Sequence, residues 1–325
     1  MTAQLDHHHV LDDVRAVLGT LDRAVVGRRA ALTTILLAVL ADGHILIEDL
    51  PGLGKTMLAR SLATVLGLET ARIQFTPDLL PADVVGATSY NVVTREFEYR
   101  PGPVFTNVLI ADEINRTSPK TQAALLEGMA ERQVSVDGRT RPLPTPFVVL
   151  ATENPIEHEG TYPLPEAQLD RFAVRLRLGY LSADGETELL RRRVDRRRRE
   201  PELPRVLDPA RVVAAQRAVE DVAVHDDVLR YVVVLAEATR RHPQVEVGAS
   251  PRAELDLLQL SRARALLAGR DFALPDDVKA LAVPAFAHRL VLRPEMWARR
   301  VPTDAVVEEI LARVPAPRTS RGDGS

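Results

Sequence analysis

Residues 45–59, ILIEDLPGLGKTMLA, decide how this chain is read. Ile45, Leu46 and Ile47 make a short apolar strand, Pro51-Gly52-Leu53-Gly54 a glycine-bearing loop, and Lys55-Thr56 the opening of a helix. Glycines at 52 and 54 let successive backbone N–H groups face one concavity, and the positive end of the following helix points at the same place. Such a loop cradles phosphate, with Lys55 reaching the β- and γ-phosphates and the Thr56 hydroxyl joining the shell of a Mg²⁺ ion. The usual pattern, G-x-x-x-x-G-K-[ST], asks for glycine where this chain has Asp49. The strand, loop and helix are all present, so the stretch reads as a phosphate loop with an acidic variant at its first position. The competing reading, an ordinary tight turn, needs Gly-Lys-Thr to fall on such a junction by accident.

A length of 325 residues allows two domains with their own cores. The expected division is an N-terminal helix or disordered start (1–20), an α/β nucleotide-binding unit (21–180), a linker helix (181–206), a helical lid (207–314) and a disordered tail (315–325). The net charge of −3 creates no global field toward nucleic acid or membrane. Absence of cysteine excludes disulfides and thiolate metal sites and suits a reducing cytosol. No stretch resembles a signal peptide or an apolar run of about 18 residues, so a soluble cytoplasmic protein is expected. His7, His8 and His9 could bind a metal weakly or belong to a tag, but a disordered start is the preferred reading.

Two helical patterns precede the phosphate loop, one carrying Val10, Leu11, Val14 and Leu18, the other Leu32, Ile35, Leu36, Val39 and Leu40. Between them Val25-Val26-Gly27-Arg28 breaks the periodicity, at a place that either touches a nucleotide base or forms a plain turn. After the loop, Met57 to Leu66 continues as helix and Ala71 to Phe75 is a second strand. Tyr90 to Tyr99 reads as an exposed ribbon, serving contact with a substrate or neighbouring subunit or merely decorating the surface. Val108, Leu109 and Ile110 form a strand apolar enough to be buried on both faces, and it ends in Asp112-Glu113. Carboxylates at the C-terminal end of such a strand sit where open α/β sheets bind ligands. Asp112 is expected to hold Mg²⁺, mostly through water, and Glu113 to polarise the water that attacks the γ-phosphate.

Ser118-Pro119 starts a helix through about Glu131, and a second ribbon turns at Asp137-Gly138. A fourth strand, Phe147 to Ala151, leads to Asn154, whose amide is placed to bond the γ-phosphate or the attacking water. Asp170-Arg171-Phe172 closes a short helix before a fifth strand, Val174 to Leu178. Leu189 to Glu200 then holds seven arginines. Glu188 with Arg192 and Asp195 with Arg199 stand four apart, so a solvated linker helix is favoured over a nucleic-acid patch. From Leu207 to Val314 only helices are expected, near 208–219, 225–241, 251–267, 276–288 and 303–313. Ser250-Pro251-Arg252 opens one of them, and an arginine at that end works against the helix dipole, a cost that an anion would offset.

Taken together, PGLGKT at 51–56, LIADE at 109–113, ATEN at 151–154, LDRF at 169–172 and SPR at 250–252 resemble AAA+ ATPases. Longer stretches, such as VLIADEINRTSPKTQAALLEGMAERQVSVDG, are similar to the MoxR family, a likeness running from about Val25 to Val314. The resemblance implies a P-loop core whose five-stranded parallel sheet has the order 5-1-4-3-2, with a C-terminal all-α lid. It implies ATP or ADP with Mg²⁺ held by Val26, Gly27, Pro51, Gly52, Leu53, Gly54, Lys55, Thr56, Met57 and Asp112. In that scheme Thr56 and Asp112 serve the metal, Glu113 is catalytic, Asn154 is sensor 1, Arg171 the arginine finger and Arg252 sensor 2. Arg116 is weakly implied to face the neighbouring subunit, and the two ribbons match the helix-2 insert and pre-sensor-1 hairpin. Further implied are a hexameric ring, a partner with a von Willebrand factor A (VWA) domain and a chaperone-like role on protein complexes. A DNA-acting or metal-chelatase-type motor, and a scaffold that binds ATP but scarcely hydrolyses it, stand as rival readings. Near-zero net charge weighs against the DNA motor, and the presence of Glu113, Asn154 and Arg171 against the scaffold.

Overall fold

Five apolar segments become the core strands: β1 Ile45–Glu48, β2 Thr70–Gln74, β3 Val108–Asp112, β4 Val148–Glu153 and β5 Val174–Leu176. The computed structural model describes residues 7–155, 161–197, 201–299 and 301–317. All four pairings are parallel, and the order is β2-β3-β4-β1-β5, the expected arrangement. Alternation along β3 explains its unbroken apolarity. Val108 and Ile110 face one core cluster, Leu109 and Ala111 the other. The first cluster includes the helices His7–Ala24, Arg29–Leu40 and Lys55–Leu66 and continues into the C-terminal helices. The second is closed by Leu125, Leu126 and Met129 of the helix Pro119–Glu131.

Because every strand runs the same way, the five C-terminal ends form one edge of the sheet and the five N-terminal ends the opposite edge. The phosphate loop follows β1 on the first edge. At the second edge Ala173, just before β5, donates its N–H to His44 O just before β1 (2.9 Å).

Both ribbons form where expected, as Gly86–Asn91 with Glu96–Pro101 and Gln133–Val136 with Arg139–Pro142. The second turns through Asp137 and Gly138 at φ 52° and 72°, the left-handed pair that a tight hairpin demands. Two expectations need correcting. The chain is already helical at His7, because Val10, Val14, Val17, Leu18 and Leu21 form a stripe with a buried place to go. The C-terminal part is helical, at Pro209–Glu220, Asp226–Arg240, Pro251–Leu267, Pro275–Phe286 and Thr303–Arg313. It also contains a small antiparallel ribbon, Val245–Val247 with Val291–Leu292, and a short helix Pro294–Ala298. Strands of two and three residues are too short to show a period of two. The arginine-rich segment is a helix, Ala183–Arg196, in which Arg192 pairs with Glu188 at 2.8 Å. The Asp195–Arg199 pairing and most of the expected tail lie outside the described residues.

His44 pins the lower edge of the sheet. Its Nδ1 accepts from Val149 N–H, so its Nε2–H donates to Met129 O, each at 3.0 Å. Burial, aided by the Arg132 charge, holds the imidazole well below its ordinary value of 6.5. The neutral ring therefore contributes fully above that value, and the contribution fades as pH falls and the unfolded chain takes up the proton. His44→Leu, which strands two buried backbone groups, should cost about 2–5 kcal/mol of urea-unfolding free energy at pH 7, with a smaller gap at pH 5.

Candidate functional site

Gly52 and Gly54 both adopt φ 84°, the left-handed conformation that glycine takes without strain, and the helix begins at Lys55. Lys55 turns back across the loop, donating to Asp49 O at 2.6 Å and to Glu153 O at 3.5 Å. Burial lowers its pKa, opposed by the charges of Asp49, Asp112 and Glu113. Thr56 Oγ1 lies 3.2 Å from Asp112 Oδ2, so the loop and the end of β3 meet as the motif spacing requires. The Thr152 hydroxyl on β4 ties this corner together, donating to Asp112 Oδ1 (3.3 Å) and accepting from Glu113 N–H (2.9 Å).

A chain of side chains from β2 also reaches this corner, and nothing in the motifs signalled it. Arg72 donates to Asp112 Oδ2 at 2.6 Å and to Gln74 Oε1 at 2.7 Å, and Gln74 donates to Glu113 Oε2 at 2.8 Å. Arg116 approaches the same Glu113 oxygen at 3.0 Å, so its guanidinium is engaged within its own subunit. Glu113 itself adopts φ 57°, the left-handed region uncommon for residues other than glycine. Asn154 is buried at the end of β4, between β1 and β3, beside a cavity of about 420 Å³ that also touches Glu48, Asn115 and Glu153. Burial and the Glu48 charge raise the Glu153 carboxyl to about 7, with Arg175 acting the other way.

Asp49, the departure from the motif, has a definite task. Its Oδ2 accepts from Leu178 N–H and from Gly179 N–H (2.7 Å), while Oδ1 accepts from Leu50 N–H (2.8 Å). Arg28 donates to the carbonyls of Leu178 and Gly179 from the other side. The segment leaving β5 is thereby clamped beside the phosphate loop. It walls a cleft of about 320 Å³ bounded by Val25, Val26, Gly52, Gly54, Met57, Tyr180 and Leu181, apolar enough for a flat base. Gly27 beside it adopts φ 64°, the left-handed conformation that favours glycine. Val26, Leu53 and Met57, expected at the nucleotide, line this cleft, and Pro51 belongs to the loop beside it.

Arg171 and Arg252 do not join this cluster. Arg171 precedes β5 and so sits at the opposite edge of the sheet. Ser250, the N-cap of the helix Pro251–Leu267, donates to Asp170 Oδ1 at 2.7 Å, which brings Arg252 to the same place. Arg252 is exposed, and neither hydrogen bond nor ion pair engages it among the described residues.

Residues 44–174 match the model of the ATPase family associated with various cellular activities (AAA), and residues 237–310 the AAA lid domain. Chaperone MoxR1 of Mycobacterium tuberculosis is 40% identical over 92% of this chain and 81% of its own length. Protein MoxR of Methylorubrum extorquens is 33% identical over 91% of this chain and 92% of its own. The chain belongs to the MoxR family of AAA+ ATPases. A crystal structure from Cytophaga hutchinsonii, described as that of a candidate ATPase, superposes with a TM-score of 0.89 at 37% identity, covering 96% of this chain and 97% of the other. Among the described residues no helix is long and apolar enough to cross a membrane.

Within this MoxR-family fold two substitutions test the site. Asp49→Gly restores the textual motif but releases the 178–179 segment; ATP affinity, measured by titration, should fall about tenfold, the size of one charge-assisted hydrogen bond. Glu153 binds its proton more tightly folded than unfolded, so its effect on stability is favourable at low pH and is lost as pH rises from 4.5 to about 7. Glu153→Gln should therefore raise the melting temperature at pH 8 and change it little at pH 5.

Proposed function

We propose that the protein hydrolyses ATP with Mg²⁺ in a head-to-tail ring of identical subunits and uses the cycle to remodel other proteins in the cytoplasm. One observation carries the reading: Lys55, Thr56, Asp112 and Glu113 gather at one edge of the sheet while Arg171 and Arg252 stand together at the other. A subunit offers a phosphate cradle on one side and cations on the opposite side, the two halves that a neighbour-to-neighbour contact would join. An interface between unlike faces closes into a ring when its rotation permits; six copies are what the family likeness suggests.

The donor set suits Mg²⁺, since a threonine hydroxyl and a carboxylate are hard oxygen ligands 3.2 Å apart, and that ion is commonly held by one or two protein groups plus substrate phosphates. When bound, the ion neutralises charge on the β- and γ-phosphoryl oxygens. Lys55 shares that task from the loop. Glu113 orients and polarises the attacking water, once its carboxylate exchanges Gln74 and Arg116 for that water, and Asn154 holds the water or the γ-phosphate from β4. The neighbour's Arg171 and Arg252 stabilise the charge that builds as the terminal phosphoryl group leaves. Support for a protein client comes from relatives described as MoxR and as a chaperone; a partner with a VWA domain is proposed on the same family ground.

Mixing two inactive variants tests the division of labour. Lys55→Ala and Arg171→Ala should each hydrolyse ATP at least about 100-fold slower than wild type. Mixed in equal amounts they should recover activity, because some interfaces then pair an intact cradle with an intact finger. Absence of recovery in co-assembled rings, or full turnover by Arg171→Ala alone, would refute the arrangement.

A further inference from the structure

Arg171 has little of its own to hold it. Its guanidinium makes one long bond, to Ala167 O at 3.3 Å, and its buried Nε has no partner among the described residues. The backbone around it is held instead. The carbonyls on either side, those of Asp170 and Phe172, both accept from a single nitrogen of Arg289, each at 3.0 Å. Arg289 is only 4% exposed, an expensive place for a charge unless it is fully engaged. Its two terminal nitrogens are engaged, Nη2 also pairing with Asp256 and Nη1 donating to Ala285 O at 3.2 Å, while Nε lies 3.1 Å from the Asp170 carboxylate as an ion pair without a hydrogen bond. His288 adds a contact from Nε2 to Phe172 O at 2.8 Å.

The same cluster reaches the second cation. Asp256 lies one turn beyond Arg252 on one helix face. Ser250, two residues before Arg252, accepts from Ala253 N–H at 3.1 Å while donating to Asp170. A single buried guanidinium thus joins the backbone on both sides of Arg171 to the helix that carries Arg252, through Asp256 one turn further on.

We propose that Arg289 is a positioning residue for hydrolysis: it sets the direction of Arg171 and locks it to the helix start bearing Arg252, so that both cations reach the neighbour as one rigid unit. The inference rests on the reading that Arg171 acts on the neighbouring subunit's nucleotide. A guanidinium can hold two carbonyls and two carboxylates at once, which a single ammonium cannot. Displacing a catalytic group by about 1 Å is enough to lose two orders of magnitude in rate.

The test uses the full chain with Arg289→Lys, in the wild-type and Arg171→Ala backgrounds, reading ATP turnover, affinity for a fluorescent ATP analogue and melting temperature. Turnover should fall about 10- to 100-fold in the wild-type background with analogue affinity unchanged, because the cradle of the same subunit is untouched. In the Arg171→Ala background the same change should cost several-fold less, since only Arg252 is left to misdirect. Equal losses in both backgrounds would make Arg289 a mere structural prop and overturn the proposal, as would full turnover by a folded Arg289→Lys protein. If Arg289→Lys does not fold, Ser250→Ala, which removes one tether of Asp170, should give the same pattern with a loss of about two- to fivefold, and no loss would overturn the proposal. An Arg171→Ala protein as active as wild type would instead refute the ring mechanism itself, and this inference with it.

Discussion

Everything in this molecule follows from five strands that all run in one direction. A parallel sheet has two chemically different edges, because whatever follows a strand collects at one and whatever precedes a strand at the other. The phosphate loop, Asp112-Glu113 and Asn154 all follow strands, and Arg171 precedes one. Within one subunit Arg171 and Lys55 therefore stand at opposite edges of the sheet. The separation of Arg171 from the phosphate loop is thus a property of strand direction before it is a property of any side chain.

The two edges are held by different means. At the upper edge a short-range polar mesh dominates, in which Thr152 bridges Asp112 and the Glu113 backbone, and Arg72 and Gln74 reach across from β2. Its carboxylates are partnered by groups that the ligand and metal would replace, so the mesh is exchangeable. At the lower edge His44 and Arg289 are buried, their partners are largely backbone carbonyls and amides, and neither can trade them for water without loss. The cradle is built to be rearranged, the presenting face to stay put.

Much of this was legible in the sequence because it depends on local pattern. A strand buried on both faces reads as an unbroken apolar run, glycines at 52 and 54 announce left-handed backbone, and Asp137-Gly138 announces a hairpin. What could not be read depends on contacts between distant segments. The approach of the Arg171 segment to the helix start at Arg252 spans some eighty positions and is made by Ser250 and Asp170, each of which the sequence marks locally but does not link to the other. Arg289 is one arginine among many, and only burial distinguishes it. Gln74 and Arg72 lie on an edge strand with no motif to mark them. The N-terminal helix was read from its apolar stripe, and only its start at His7 was missed, because a run of histidines suggested disorder.

Asp49 deserves a last consideration, since by pattern alone it is a defect. One carboxylate fastens the start of the phosphate loop to the strand exit that walls the base cleft. The grip on the triphosphate end and the grip on the ring end of a nucleotide are then one mechanical element. Spent nucleotide would leave such a pocket whole, by a single loosening, and not by letting go first at one end and later at the other.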